Sequence, residues 1–293
     1  MARGLWDYSE IALRETRSAK MLSGILEENG FQIDRGVAGM PTAFVATWGS
    51  GRPVIGILAE FDALPGVGNE AVPFKEPRKD GVTSGQGCGH DLFGAAAVGA
   101  AIAVKRVMER NSVSGTVKLF GCAAEETVVG KVFMARDGIF DGLDAALDWH
   151  PGDETKVKNQ SGLANNSFTV EFFGKTAHGA SDPWNGRSAL DAVELMNYGV
   201  NMMREHIQPS ARIHYVITHG GDAPNVVPDY ARVWYFVRDI NRPRVEKLYQ
   251  RVLRPAEAAS IATETEYKVT FLTGVHEYLI NRPLQEALQR NLE

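Results

Sequence analysis

Cysteine is nearly absent: the chain has two, Cys88 and Cys122, in 293 residues. So small a supply excludes a disulfide framework, and a reducing, cytoplasmic setting is the expectation that fits it. Long apolar runs are missing as well. The longest, Leu92 to Val104, is rich in Ala and Gly and stops at Lys105, too short to span a bilayer and suited instead to a buried helix. Met1-Ala2-Arg3-Gly4-Leu5-Trp6-Asp7 offers no apolar signal core. Positive charge is not in excess either: 31 Lys and Arg against 36 Asp and Glu leave a net charge of −5. No basic run is interleaved with aromatics, so neither nucleic acid nor a membrane is an expected partner. Internal repeats and low-complexity segments are also lacking.

What remains is ordinary globular material, 44% hydrophobic and 23% charged, with enough length for two domains. Residues 5–29 carry apolar positions at helical spacing (Leu13, Met21, Leu22, Ile25, Leu26), with Gly30 placed to end one helix. Residues 31–33, 43–48 and 54–59 read as strands, the last apolar enough to be central. A loop over 65–87 follows, long enough to suggest a function. Helix 91–111, strand 116–123, helix 128–140 and strand 145–149 continue an alternation of β and α. After Pro151 the order changes. Strand 167–173, helix 188–206, strands 212–218 and 232–237, helix 244–263 and strand 266–272 form βαββαβ, the ferredoxin-like arrangement. The expected fold is an α/β domain with a mixed sheet flanked by helices, residues 1–163, and a smaller inserted α+β domain, residues 164–277. Residues 281–293 begin another helix.

Chemistry concentrates in Gly85-Gln86-Gly87-Cys88-Gly89-His90-Asp91. A thiol and an imidazole two positions apart, in a glycine-rich turn, suit zinc or a neighbouring transition ion. Ligands in open α/β sheets gather beyond the carboxyl ends of strands. Asp62, the pair Glu125-Glu126 and His150 each follow a predicted strand, so they converge on one sheet edge with Cys88 and His90. Taken singly, each has a plainer use: Asp62 as a turn residue, the Glu pair at a helix start, His150 bonded to backbone. Adjacent residues in extended backbone point to opposite sides. Two jobs are therefore expected of the Glu pair, one binding metal and one moving a proton.

Ala59-Glu60-Phe61-Asp62-Ala63-Leu64-Pro65, Gly87-Cys88-Gly89-His90-Asp91, Ala124-Glu125-Glu126, Trp149-His150 and Ala177-His178 together resemble the successive motifs of the M20 metallopeptidases. The resemblance is to the amidohydrolase branch in which a cysteine enters the metal site. The loop before Cys88, Phe120-Gly121-Cys122, residues 186–193 and Pro224-Asn225-Val226-Val227 are similar to its aroyl-glutamate-cleaving subgroup. The resemblance implies two divalent ions, zinc or manganese, held by Cys88, His90, Glu126 and His150. Glu125 would be the general base, and Asp62 would support the site without binding metal directly. It implies that His178, presented across a homodimer, polarises the scissile carbonyl, and that Asn225 and Arg238 hold the substrate's carboxylate.

The implied reaction is hydrolysis of the amide of an N-acyl or N-aroyl amino acid by water activated at the metal. Other readings of the residues are a related dipeptidase, an amidase with Cys88 as nucleophile, and an inactive partner module. Members of this family continue past the inserted domain to a final histidine ligand. The expectation is that this chain lacks that segment, which a second subunit could supply.

Overall fold

The computed structural model describes residues 1–293, which divide into two compact units, Met1–Thr155 and Lys156–Glu293. The first begins with helices α1 (Ala2–Tyr8) and α2 (Thr16–Glu28), then strands β1 (Gln32–Arg35), β2 (Phe44–Ser50) and β3 (Val54–Glu60). The long loop leads to α3 (His90–Arg110), followed by β4 (Gly115–Cys122), α4 (Glu125–Val128), α5 (Gly130–Arg136) and β5 (Ala145–Leu147). The sheet has the order β1-β2-β4-β3-β5. It is mixed: β1, β2 and β4 pair antiparallel, while β3 runs parallel to both β4 and β5. Phe44, Leu119, Phe120, Val98 and Ala101 fill its core, each large side chain contributing roughly 1.5–3 kcal/mol of burial.

The small residues of α3 set its distance from the sheet. A Cβ on Gly94 would stand 2.8 Å from the carbonyl oxygen of Glu60, so only glycine lets α3 lie against the end of β3. His90, one turn earlier, is thereby brought to Glu60 and Asp62.

Two helices depart from the periodicity. The single helix expected over 5–29 is two, because Ser9 and Leu13 adopt left-handed backbone with φ of 41° and 59°. Glu10 makes the break tenable by accepting hydrogen bonds from the Ser18 and Arg17 amides, at 2.9 and 3.1 Å, at the start of α2. The helix expected over 128–140 is likewise interrupted, by Val129 at φ 52°, and ends at Arg136.

The second unit comprises β6 (Ala164–Phe173), α6 (Ala189–Met203), β7 (Arg212–His219), β8 (Tyr230–Asp239), α7 (Arg242–Thr263), β9 (Glu266–Val275) and α8 (Arg282–Leu292). Its four strands are antiparallel in the order β7-β8-β6-β9. Strand alternation puts Phe168, Val170, Val233, Tyr235 and Val237 on one face, buried with Val193, Met196 and Val200 of α6 and Val252 and Ala256 of α7. Ser188 caps α6 through the Asp191 amide and Asn241 caps α7 through the Arg244 amide, both at 3.1 Å. The other sheet face, with Trp234, Phe236 and Arg238, carries no helix of this unit. No helix of either unit is long and apolar enough to cross a membrane.

Candidate metal centre

The first unit gathers Cys88, His90, Glu60, Asp62, Glu125, Glu126 and His150 at the carboxyl end of its parallel strands. His90 is 1% exposed and lies between two carboxylates. Its Nδ1 is 3.0 Å from Asp62 Oδ1. Its Nε2 is 3.0 Å from Glu60 Oε2, but outside hydrogen-bond geometry, which leaves Nε2 a buried nitrogen without a hydrogen-bond partner. Asp62 does two jobs, because its Oδ2 accepts the Glu126 amide at 2.9 Å and so fixes the start of α4. Glu126 Oε1 is also buried without a partner.

Cys88 Sγ is 3.3 Å from His150 Nε2. The other nitrogen of His150 is 2.9 Å from the carbonyl oxygen of Pro151, to which it donates, so the Nε2 lone pair faces the sulfur. The turn depends on Gly89, at φ 77° and with Pro151 carbons 3.0 Å from where a Cβ would stand. Donor atoms of Cys88, His90 and His150 lie within 4.8 Å of one another, and so do those of Glu60, His90 and Glu125.

Burial and crowding set the charges. Burial pushes the Cys88 thiol up to about 12, and the Glu126, Glu125 and Glu60 carboxylates add to that. Burial and neighbouring Glu60 raise Glu125 above the usual carboxylate range. Burial works against the charged form of His90, but Asp62 and Glu60 outweigh it and lift the imidazole to about 10. Burial would raise Glu60, yet His90 and the Lys131 ammonium hold it at about 2. Sulfur, imidazole and carboxylate donors fit a borderline divalent ion such as zinc, and an Asp-bonded imidazole is the usual support of a metal-binding histidine.

Of the residues singled out in the sequence, Asp62, Cys88, His90, Glu125, Glu126 and His150 come together. The Glu pair does so differently from the extended-strand expectation. Glu125 and Glu126 open the short helix α4 behind Ala124, which is left-handed at φ 56°, so helical rotation rather than strand alternation separates them. His178, Asn225 and Arg238 belong to the second unit. His178 and Asn225 are adjacent on exposed loops, the Gly179 amide donating to the Asn225 carbonyl at 2.8 Å. The His178 Nδ1 accepts from the amides of Ala180 and Ser181 at 3.1 and 3.2 Å, which leaves Nε2 as its N–H donor. No hydrogen bond or ion pair joins Arg238, on β8, to that pair.

Sequence reasoning passed over three residues. Glu60 lies two positions before Asp62 and so points the same way from an extended chain, a signal that was available. Lys131 pairs with Glu60. Glu15, fully buried, accepts the Thr42 hydroxyl at 2.8 Å and the Ala124 amide at 2.9 Å, fixing the turn that presents Glu125. Nothing in the spacing of Lys131 or Glu15 marks either.

Comparison with known proteins bears on this site. Residues 56–293 match the sequence profile of peptidase family M20/M25/M40. The whole chain aligns at 43% identity with 61% of one subunit of the p-aminobenzoyl-glutamate hydrolase of Escherichia coli K12. It aligns at 29% identity with the human Xaa-Arg dipeptidase, over 99% of this chain and 66% of that protein. The chain thus spans less than two thirds of the length of these curated relatives. In fold it resembles an aminobenzoyl-glutamate utilization protein of Klebsiella pneumoniae, with a TM-score of 0.75 at 19% identity over 99% of this chain and 78% of that one. A dinuclear metal-binding peptidase of Bacillus subtilis superposes with a TM-score of 0.64 at 21% identity, over 100% and 77% of the two chains. With the profile matching well over half its length, this chain belongs to peptidase family M20/M25/M40.

Proposed function

We propose that the chain is the metal-binding part of an amidohydrolase that cleaves the amide between an acyl or aroyl group and an amino acid with a free carboxylate. The relative named for p-aminobenzoyl-glutamate makes that compound the first substrate to try. The observation that carries the reading is the buried His90 Nε2, without a hydrogen-bond partner, held in place through Asp62 and gathered with Cys88, His150, Glu60 and Glu125. Cys88, His90, Glu126 and His150 would hold two divalent ions, zinc or manganese, and Glu60 adds a further carboxylate beside them. When bound, such ions acidify water and polarise a carbonyl.

The remaining work falls to side chains. Glu125, raised by burial, accepts the proton of the attacking water and returns it to the leaving amine. Asp62 keeps His90 in one tautomer and fixes α4. Arg238 takes the substrate carboxylate in a two-pronged grip, with Asn225 beside the scissile bond. His178, with its proton on Nε2, donates to the developing oxyanion from a partner subunit.

In this reading residues 1–163 form the catalytic domain, residues 164–277 a ferredoxin-like dimerisation domain, and residues 278–293 the start of the return. A homodimer in the cytoplasm is the proposed assembly. The Escherichia coli relative is named as one subunit of its hydrolase, which supports a second kind of subunit as well. The Cys88-nucleophile alternative has less support, since Cys88 Sγ and His150 Nε2 lie with His90 in one donor cluster beside several carboxylates, an arrangement suited to a cation.

The test is Glu125→Gln. It keeps every proposed ligand, so metal content should match the wild type while kcat on p-aminobenzoyl-glutamate falls roughly 10²- to 10⁴-fold. A variant with unchanged kcat removes Glu125 from the mechanism.

A further inference from the structure

The turn that carries Cys88 and His90 is closed by the side chain of Gln86, which is 7% exposed. Its Oε1 accepts the Asp91 amide at 3.0 Å, and its own carbonyl oxygen accepts the Gly89 amide at 3.0 Å. The two bonds close residues 86–91 into a loop with Cys88 and His90 inside it. Such a cap is needed, because α3 begins behind Gly89, which has no side chain to satisfy the orphan amides of the first turn. Gln86 supplies an acceptor from outside the helix.

The other end of the Gln86 amide is also held. Its Nε2 donates to the Leu5 carbonyl at 3.5 Å, in α1, and Leu5 is fully buried. The same helix end takes further donors from the long loop. Arg78 donates to the carbonyls of Trp6 and Asp7 at 2.8 and 2.9 Å, and the Ser84 hydroxyl donates to that of Ser9. These are the carbonyls that a helix C-terminus leaves without partners, so helix and loop satisfy one another. At the base of the loop Leu64 and Gly85 exchange both backbone bonds at 3.0 Å, which joins Gln86 to the strand exit that carries Asp62.

We propose that Gln86 is the positioning residue of the metal-binding turn, coupling Cys88 and His90 to the buried end of α1 so that both donors are in place before an ion arrives. Only an amide side chain of this length has the acceptor for Asp91 and the donor for Leu5 together. Methionine would fill the space with neither a strong acceptor nor a donor. Ordering the turn in advance spares the ion the conformational entropy of fixing it. The inference rests on the metal-binding reading given above to Cys88 and His90 and adds the residue that presets their geometry.

Two measurements on the full chain test it. Amide hydrogen exchange in chelator reads the turn without metal: in Gln86→Met, residues 88–92 should exchange roughly tenfold faster or more, while β3 and β4 keep wild-type protection. Cobalt(II) titration then reads the site. The variant should bind cobalt roughly tenfold more weakly or worse and show a weaker cobalt–thiolate absorption band. Leu26→Val, a core substitution in α2, controls for general destabilisation: it should lower the melting temperature and leave the band of the folded protein unchanged. Wild-type exchange over 88–92 in Gln86→Met overturns the proposal, and so do a cobalt affinity and thiolate band equal to the wild type's. Faster exchange in the variant, with no cobalt–thiolate band even in the wild type, keeps Gln86 as the anchor of the turn and overturns the metal-binding reading instead. A Gln86→Met chain that fails to fold is replaced by Gln86→Asn, one methylene too short to reach both partners, which should move both readouts in the same direction.

Discussion

In the proposed metal site, Asp62 decides which nitrogen of His90 is left for the ion. Its contact with Nδ1 at 3.0 Å keeps the ring in one orientation, and partners of this kind are typically worth 10- to 100-fold in metal affinity. Asp62→Ala should therefore weaken zinc binding about 10- to 100-fold in competition with a chromophoric chelator. Affinity equal to the wild type would mean that His90 is oriented by something else. Glu15 acts one step further out. Glu15→Ala leaves the Thr42 hydroxyl and the Ala124 amide without their acceptor, a loss of about 2 kcal/mol in denaturant unfolding; Glu15→Gln, which still accepts, should lose less. At this scale the sequence was a good guide to which residues come together where their types are distinctive. Cys88, His90 and His150 are rare residue types at strand and loop ends, whereas Glu60, Lys131 and Glu15 are common surface types whose burial only the fold reveals.

Glycine and capping decide where the elements start. Gly89 precedes α3 in left-handed backbone, and Gly89→Ala adds a Cβ 3.0 Å from Pro151 carbons to a backbone cost of roughly 1–2 kcal/mol. The variant should unfold more easily and bind metal more weakly, and neither change would mean that the Cys88 turn adapts. Glu10 offers a pH test at the head of α2. Burial would raise its pKa, but hydrogen bonds from Ser18 and Arg17 outweigh that and hold it below its ordinary 4.5. A folded pKa below the unfolded one means stability that is present at neutral pH and lost as pH falls through the folded value. Glu10→Gln should therefore be less stable than the wild type by about 1 kcal/mol at pH 7, with the gap closing as pH drops below 4.5. A gap that persists in acid would assign the loss to shape rather than charge. The helix breaks at Ser9, Leu13 and Val129 escaped the sequence because left-handed conformations of such residues are uncommon and hydrophobic periodicity continues across them. The strands were legible because alternation and apolar runs are imposed by the sheets that bury them.

At the scale of the whole chain, the order of elements was readable apart from the two split helices, and the second unit runs βαββαβ with its strands antiparallel. Uncovered surfaces were not readable. Exposed Leu195, Tyr198 and Met202 of α6 and the open strand β7, with Val216 52% exposed, give the proposed homodimer an apolar surface and a free strand edge. Sedimentation should show a dimer that Tyr198→Glu with Met202→Glu disperses, and a wild-type monomer at micromolar concentration would contradict that assembly. The central claim is tested most directly by metal content per chain on purified protein, with hydrolysis of p-aminobenzoyl-glutamate measured before and after chelation. The account predicts two divalent ions per chain and turnover that chelation abolishes and zinc or manganese restores. A chain that binds no metal, or whose turnover survives the chelator, would contradict it.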